Sequence, residues 1–240
     1  MRITTNTISL SEILLFSIPF IAFTIIGTLS HEYGHLLVAK YYGYDTSLHY
    51  GSMNYKNNSL ENKIKEIYLR NETVIKKIQT YPEKVRFESL AKEIVAERLN
   101  IFIGGPAQTI STGTIGLLVL LFRRNKIKEF GMKLIDWLVI FLSFFWLRQV
   151  FNLTTSVLDA LIYDNQSYFD GDEKVIATLL ELPKGTFAIP LGILGFVISL
   201  HVVFKIIPLK NRFNFLFGGV LGSVLGYILW FELLGPIVLP

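Results

Sequence analysis

The chain has 240 residues, of which 51% are hydrophobic and only 18% are charged. This composition differs strongly from that of soluble proteins and predicts an all-α, multi-pass helix bundle in a membrane. The lack of cysteine excludes disulfides and thiolate metal sites. The net charge of +4 is spread among loops, so we expect the lipid bilayer and membrane-associated molecules as partners, and no nucleic acid.

Four uncharged runs reach the length of about 20 residues that a transmembrane helix needs. They cover residues 13–30, 99–122, 185–204 and 213–231. A weaker run begins near Leu134 and is interrupted by Asp136, Arg148 and Asp159. We expect a polytopic protein of the cell membrane, with about five transmembrane helices in a single integral domain covering residues 1–240.

A polar segment at residues 41–98 separates the first two spans. Its first part, DTSLHYGSMNY, alternates weakly and favours a short hairpin. Apolar residues then recur at helical spacing on both sides of Pro82, and Asn58 and Glu61 form a capping pair before the first stripe. The pattern predicts a loop insertion of two amphipathic helices that lie on the membrane or pack on each other.

The stretch SHEYGHLLVAK, residues 30–40, ends the first apolar run. His31 and His35 are four residues apart, so a helix places both rings on one face, within reach of one metal ion. Glu32 points about 100° away from His31 and is placed to hold a metal-bound water. This H-E-x-x-H spacing is typical of zinc hydrolases, with two zinc ligands and a general base. Since ionisable residues inside a membrane are usually functional, we favour this interpretation over a polar helix end without a metal.

Gly104, Gly105 and Pro106 mark the second span. Proline costs little near the start of a helix, and the small residues that follow let helices approach closely in lipid. We expect this element to pack beside Gly34 of the first helix. Gln108 either belongs to the packing face or binds the backbone of a substrate, and the sequence leaves both interpretations open.

Glycines at four-residue spacing mark one face of the last span. They are Gly218, Gly222 and Gly226, with Gly219 and Ser223 alongside. Such a stripe predicts close helix packing, either within the chain or in a helix-mediated oligomer.

Three elements together resemble the site-2 protease family of intramembrane zinc metalloproteases. They are HEYGH at the end of the first span, GGP at residues 104–106, and Asn152 followed by an Asp-containing stretch. The resemblance covers residues 13–40 most fully and extends to 101–109 and 151–176. It implies a bundle of transmembrane helices in which His31, His35 and a distant Asp bind zinc, while Glu32 activates water.

The chain departs from the family pattern at two places. Thr109 stands where the family commonly has Asn, and the proline-rich approach to a Leu-Asp-Gly is missing. Gln108, beside Thr109, is the candidate to take over that role. The resemblance therefore implies Gln108 and Asn152 as candidate substrate-binding residues.

The distant zinc ligand that the resemblance implies has four candidates: Asp159, Asp164, Asp170 and Asp172. With five spans, all four return to the membrane face where the first helix ends. Asp159 lacks the glycine and proline of the family pattern, and Asp164 lies in a turn-like YDNQS. Asp172 best matches the family's Asp before an aliphatic helix, with Asp170 and then Asp159 as alternatives. The other interpretation of this stretch is a simple helix N-cap with surface carboxylates.

Two functions from different classes remain. The first is a zinc metalloendopeptidase that hydrolyses a membrane-spanning or membrane-associated polypeptide by a zinc-activated water. The second is a noncatalytic membrane scaffold or binding protein that keeps the peptidase fold. The intact Glu32 favours the enzyme, because a protein that only binds zinc needs no base. The basic short loops and the family resemblance favour opposite orientations in the membrane, and we follow the family in placing the zinc end towards the cytosol.

Overall fold

Five helices of the computed structural model are long and apolar enough to cross a membrane, counted over the described residues 8–163 and 169–240. They are Leu10–Tyr41, Lys84–Phe130, Leu134–Ile162, Ala188–Ile206 and Leu209–Val238. The prediction of an all-α bundle with about five candidate spans is confirmed at this level, and it fits a multi-pass membrane protein.

The elements follow one another along the chain with short connections. In order they are α1 (Leu10–Tyr41), β1 (Asp45–Leu48), β2 (Met53–Lys56), α2 (Ser59–Lys76), α3 (Lys84–Phe130), α4 (Leu134–Ser143), a 3-10 turn (Phe144–Trp146), α5 (Leu147–Tyr163), α6 (Asp172–Leu179), α7 (Ala188–His201), a π-helical turn (Val202–Ile206), α8 (Leu209–Tyr227), a second π-helical turn (Ile228–Leu234) and α9 (Gly235–Val238).

Glycines of α8 let this helix lie directly against α1. A Cβ added at Gly218 would lie 2.7 Å from the Ile13 carbonyl oxygen, and one at Gly226 would lie 2.9 Å from Thr24 Oγ1. Only glycine permits such an approach of the two backbones. The predicted glycine face is therefore used for packing within the chain.

Aromatic rings fill the space between α1, α4 and α8. The ring centre of Phe20 lies 5.0 Å from that of Phe141 and 5.2 Å from that of Phe215, which is almost fully buried. Such aromatic pairs contribute about 0.5–1.5 kcal/mol each beyond their burial. This core fixes the first half of α1, and the HEYGH motif lies farther along the same helix.

The third span joins α4 and α5 through the 3-10 turn and is not broken at Asp136. The buried Asp136 carboxylate lies 2.5 Å from Arg123 Nε and accepts the backbone N–H of Lys133 at 2.8 Å. Its charge is thereby compensated at the start of the helix.

The 3-10 turn packs directly on α3. A Cβ at Gly113 would lie only 2.6 Å from Trp146 Cδ1, so glycine lets this turn approach α3.

The polar insertion begins with the expected hairpin, in which β1 and β2 pair antiparallel with Asp45 opposite Lys56. Asn58 caps α2 by accepting the N–H of Glu61 at 2.7 Å.

The prediction of a second, separate amphipathic helix is wrong, because that stripe is the first part of α3. Residues 84–103 contain no glycine or proline, so nothing in the sequence stops the helix before the second span. Pro106, which was expected near a helix start, accordingly lies inside α3.

Candidate metal centre

Two glycines bring α1 and α3 together beside the HEYGH motif. A Cβ at Gly34 would lie 2.5 Å from the Gly104 carbonyl oxygen, and a Cβ at Gly104 would lie 2.6 Å from the Gly34 carbonyl oxygen. Because neither helix could carry a larger side chain here, the backbones touch. This contact places the polar groups of α3 within reach of the two histidines of α1.

The side chains of His31, His35 and Asp172 meet at one point. His31 Nε2 lies 2.8 Å from Asp172 Oδ2, His35 Nε2 lies 3.2 Å from the same oxygen, and the two nitrogens are 3.2 Å apart. Both histidines are buried, and Asp172 is partly buried. Zinc bonds of 2.0–2.1 Å in a tetrahedral site separate ligand atoms by about 3.3 Å, which is close to these distances.

The outer nitrogens of the two imidazoles are held by α3. His35 Nδ1 lies 2.6 Å from the Ile101 carbonyl oxygen, which can only accept, so this nitrogen carries the hydrogen. His31 Nδ1 lies 2.8 Å from Thr109 Oγ1, whose own hydrogen is directed to the Gly105 carbonyl at 3.0 Å. In the neutral imidazoles, both Nε2 atoms therefore present lone pairs to Asp172.

The two imidazoles and the Asp172 carboxylate together can accommodate a cation. An ionised carboxylate only accepts hydrogen bonds, so three acceptor atoms face one another. A proton can bridge two of them, whereas a metal ion satisfies all three at once. The three residues are thus a group that could hold a metal ion.

The start of α6 presents Asp172 to the histidines. Gly171 precedes it with φ of 81°, a left-handed conformation that favours glycine, and turns the chain into the helix. The described side chains provide no cap for α6, so Asp172 does not have the role of a helix N-cap. Its carboxylate is directed instead to the imidazoles, as a ligand requires.

Gly105 leaves room for an ion between the three side chains. A Cβ at this position would lie 2.6 Å from His31 Nε2 and closer still to His35 Nε2. Any larger residue would therefore occupy the space where the Nε2 lone pairs converge. The absence of a side chain at position 105 fits the binding of a metal there.

Glu32 lies buried beside this group and contacts Arg148 of α5. Its Oε1 is 3.7 Å from Arg148 Nη2, and the charges acting on its carboxyl come from His35, Arg148 and Asp172. Arg148 stands at the start of α5, and its guanidinium thus meets an acid that precedes it by 116 positions, while its charge also acts on Glu173.

The alternative aspartates do not belong to the described His–His–Asp group. Asp170 is 89% exposed at its side chain and lies 4.0 Å from Lys174 Nζ. Asp159 is exposed on α5. Asp164 falls outside the described residues.

The two predicted substrate-binding residues occupy different surroundings. Gln108 Nε2 donates to Thr112 Oγ1 at 3.1 Å, and Gln108 packs where α3 meets Gly34. Asn152 Nδ2 donates to Glu173 Oε2 at 3.1 Å, directly beside Asp172. A substrate role for either residue stays a prediction.

Sequence reasoning did not identify Thr109 and Glu173 as parts of this centre. The sequence marked Thr109 only as a departure from the family pattern, and its distance from His31 shows its role. Glu173 is 1% exposed, and burial raises the pKa of its carboxyl. In the sequence it is one more acid in the cluster DGDE, where nothing distinguishes it from a surface residue.

Comparison with models of protein families, with curated proteins and with solved structures gives no match. The geometry by itself shows a His, His and Asp group able to hold a metal ion inside a helix bundle of membrane-spanning dimensions.

Proposed function

We propose that this chain is an intramembrane zinc metalloendopeptidase similar to the site-2 proteases. The observation that carries the proposal is the convergence of His31 Nε2, His35 Nε2 and Asp172 Oδ2, with the Glu32 carboxylate buried beside them. Two nitrogen ligands, one oxygen ligand and a neighbouring base are the set that a hydrolytic zinc centre needs.

The donor set favours zinc over harder metals. Imidazole nitrogens suit zinc, whereas magnesium and calcium prefer sites made only of oxygen ligands. Three protein ligands also leave a fourth position open. Zinc held there would supply Lewis acidity, which makes water acidic enough to ionise at about neutral pH and polarises a carbonyl.

The protein's own groups supply the remaining steps. Glu32 accepts a proton from the attacking water at a carboxylate oxygen and returns it to the leaving amine nitrogen as the peptide bond breaks. Thr109 and the Ile101 carbonyl keep the imidazoles oriented. Arg148 holds Glu32 from the side of α5, so the base keeps one position relative to the ligands.

The surroundings of the centre support a substrate that lies in the membrane. The motif is part of α1, whose outer face exposes apolar side chains on both sides of it, such as Ile26 and Leu37. A water-soluble peptide would have to leave water to reach this depth, whereas a membrane-spanning or membrane-associated polypeptide is already there. We place the protein in the cell membrane on the same grounds.

The test compares Glu32→Gln with Glu12→Gln, a matched substitution at the start of the same helix. Both purified variants and the wild type are assayed for zinc by mass spectrometry and for cleavage of a single-span model polypeptide in lipid vesicles. We expect about one zinc per chain in all three, and a 10²- to 10⁴-fold slower cleavage only for Glu32→Gln.

Three outcomes would contradict the proposal. Loss of zinc in Glu32→Gln, or unchanged cleavage by it, would mean that the residue is not the base. Zinc and polypeptide binding by a wild type that cleaves nothing would instead identify the noncatalytic membrane binding protein.

A further inference from the structure

A cavity of about 310 Å³ lies beside the metal centre. Its walls come from α1, from the third span and from the end of the last span. Seven phenylalanines line it: Phe20, Phe23, Phe141, Phe144, Phe145, Phe151 and Phe231. Ser223 and Tyr227 are exposed at its rim, so the cavity is open towards the outside of the bundle.

The inner end of this cavity is polar and adjoins the metal centre. Thr109, which binds His31, and Arg148, which contacts Glu32, both belong to its lining. Thr28 also lines it, but its hydroxyl already donates to the Thr24 carbonyl at 2.9 Å. The cavity is therefore continuous with the candidate catalytic groups and has one available cationic donor at that end.

We propose that this aromatic-lined cavity is the specificity pocket of the peptidase, and that it takes a large apolar side chain from the residue beside the cleaved bond. Arg148 then donates a hydrogen bond to the backbone carbonyl of the same substrate segment. The inference rests on the proposed function, since it names which polypeptides that centre accepts.

The size and lining of the cavity support an apolar side chain. Its volume is at the lower end of the range of about 300–1,000 Å³ for small-ligand sites, enough for a leucine or phenylalanine side chain. Among the described lining residues, Arg148 alone carries a charge, so a polar substrate side chain would lose its hydration without compensation.

An apolar cavity open to the membrane could also take a fatty acid, but the environment of Arg148 favours a neutral peptide carbonyl over a carboxylate as its partner. Arg148 Nε is buried and has no hydrogen-bond partner among the described residues, so a donor is available. The guanidinium already lies 3.7 Å from the Glu32 carboxylate. A second carboxylate would be repelled by Glu32, whereas a peptide carbonyl accepts the hydrogen bond without adding charge.

Gly27 offers a way to fill the cavity without disturbing the helices. It lines the cavity four residues before His31, and a Cβ built on it meets no atom within 4 Å. Gly27→Phe should therefore place its ring in the cavity. Ala22→Phe is the matched control, because Ala22 is exposed on the same helix.

The experiment uses the full chain in lipid vesicles and a set of single-span model polypeptides. The bond that the wild type cuts is located by mass spectrometry, and the adjacent residue is then varied among Ala, Leu and Phe. We expect the wild type to prefer Phe or Leu over Ala at least 10-fold in kcat/KM. Gly27→Phe should lower this ratio at least 10-fold with unchanged zinc content, and Ala22→Phe should leave it unchanged. An equal ratio in all three proteins would overturn the proposal.

A crosslinking experiment separates this inference from the proposed function. A photoreactive phenylalanine analogue at position 223 of the Glu32→Gln protein should capture the Phe-containing polypeptide, and Gly27→Phe should reduce the yield at least fivefold. Capture of lipid alone would overturn the specificity pocket. A wild type that cleaves no polypeptide would overturn the peptidase, while the crosslinks would still show whether the cavity takes a polypeptide.

Discussion

Two carboxylates of this protein, the buried Asp136 and the partly buried Asp172, have opposite surroundings. Asp136, at the start of the third span, is 1% exposed, and its two oxygens are taken by Arg123 and by the N–H of Lys133. Asp172 faces two imidazole nitrogens whose other nitrogens carry the hydrogens. The first carboxylate is neutralised within the chain, and the second belongs to a group that could hold a metal ion.

This difference separates a structural charge from a ligand. A carboxylate whose partners are a guanidinium and a backbone N–H is complete, and adding an ion there would displace existing bonds. A carboxylate oxygen that faces two imidazole lone pairs is stabilised when a cation lies between the three acceptor atoms. Burial alone does not distinguish the two, because both carboxylates lie in sheltered positions between helices.

The largest expected effect is that of Asp172→Ala. Two histidines without the carboxylate leave an incomplete zinc site, so bound zinc should fall from about one per chain to near zero, with loss of cleavage. Metal analysis of the purified protein checks this. Asp170→Ala and Asp159→Ala are the controls and should keep both properties. Metal loss in Asp170→Ala alone would show that the neighbouring residue is the ligand.

Gly105→Ala should weaken zinc binding by more than 100-fold while leaving the helices in place. The added methyl group would lie 2.6 Å from His31 Nε2, in the space that the three side chains share. Gly27→Ala is the matched control, since its methyl group meets no atom within 4 Å. Zinc affinity is measured by competition with a chromophoric chelator. Equal affinities of the two variants would contradict the proposed position of the ion.

Arg123→Met should destabilise the fold and leave zinc binding intact. It leaves Asp136 buried with an unpaired oxygen, so the free energy of unfolding and the unfolding temperature should both fall. The unfolding temperature in detergent and the zinc content are the two measurements. Adding Asp136→Leu should restore at least half of the stability. A matching loss of zinc would mean that the two carboxylate sites are coupled.

The smallest expected effect is that of Thr109→Val. Valine has a similar shape but cannot accept the hydrogen of His31 Nδ1, and loss of such an orienting partner costs about 10- to 100-fold in metal affinity. Thr109→Ser keeps the hydroxyl and should bind zinc like the wild type. If both variants bind equally well, the hydroxyl does not orient the imidazole.

The sequence predicted those features that depend on local spacing. The four-residue separation of His31 and His35 is enough to place them on one helix face, and apolar runs are enough to indicate the candidate spans. It could not predict contacts between distant helices. Thr109 meets His31 across 78 positions; the resemblance marked position 109 only as a departure from the family pattern and did not predict this contact. The same holds for Arg148, whose partner Glu32 precedes it by several elements.

Charge within a span also limited the sequence interpretation. Asp136 looked like an interruption because its partner Arg123 lies at the end of the preceding helix, outside the apolar run. The second amphipathic stripe looked like a separate helix because its polarity differs from that of the span. Helix continuity depends on backbone hydrogen bonds and not on side-chain polarity. Because residues 84–103 contain no glycine or proline, the polarity could change along this part of α3 without ending the helix.

The order of the three metal-binding side chains along the chain has a consequence for biosynthesis. His31 and His35 leave the ribosome before Asp172, which follows His31 by 141 positions. A nascent chain must therefore insert three spans and fold α6 before its centre is complete. Because two imidazoles alone hold zinc weakly, the proposed zinc centre would form only after the third span and α6 are in place.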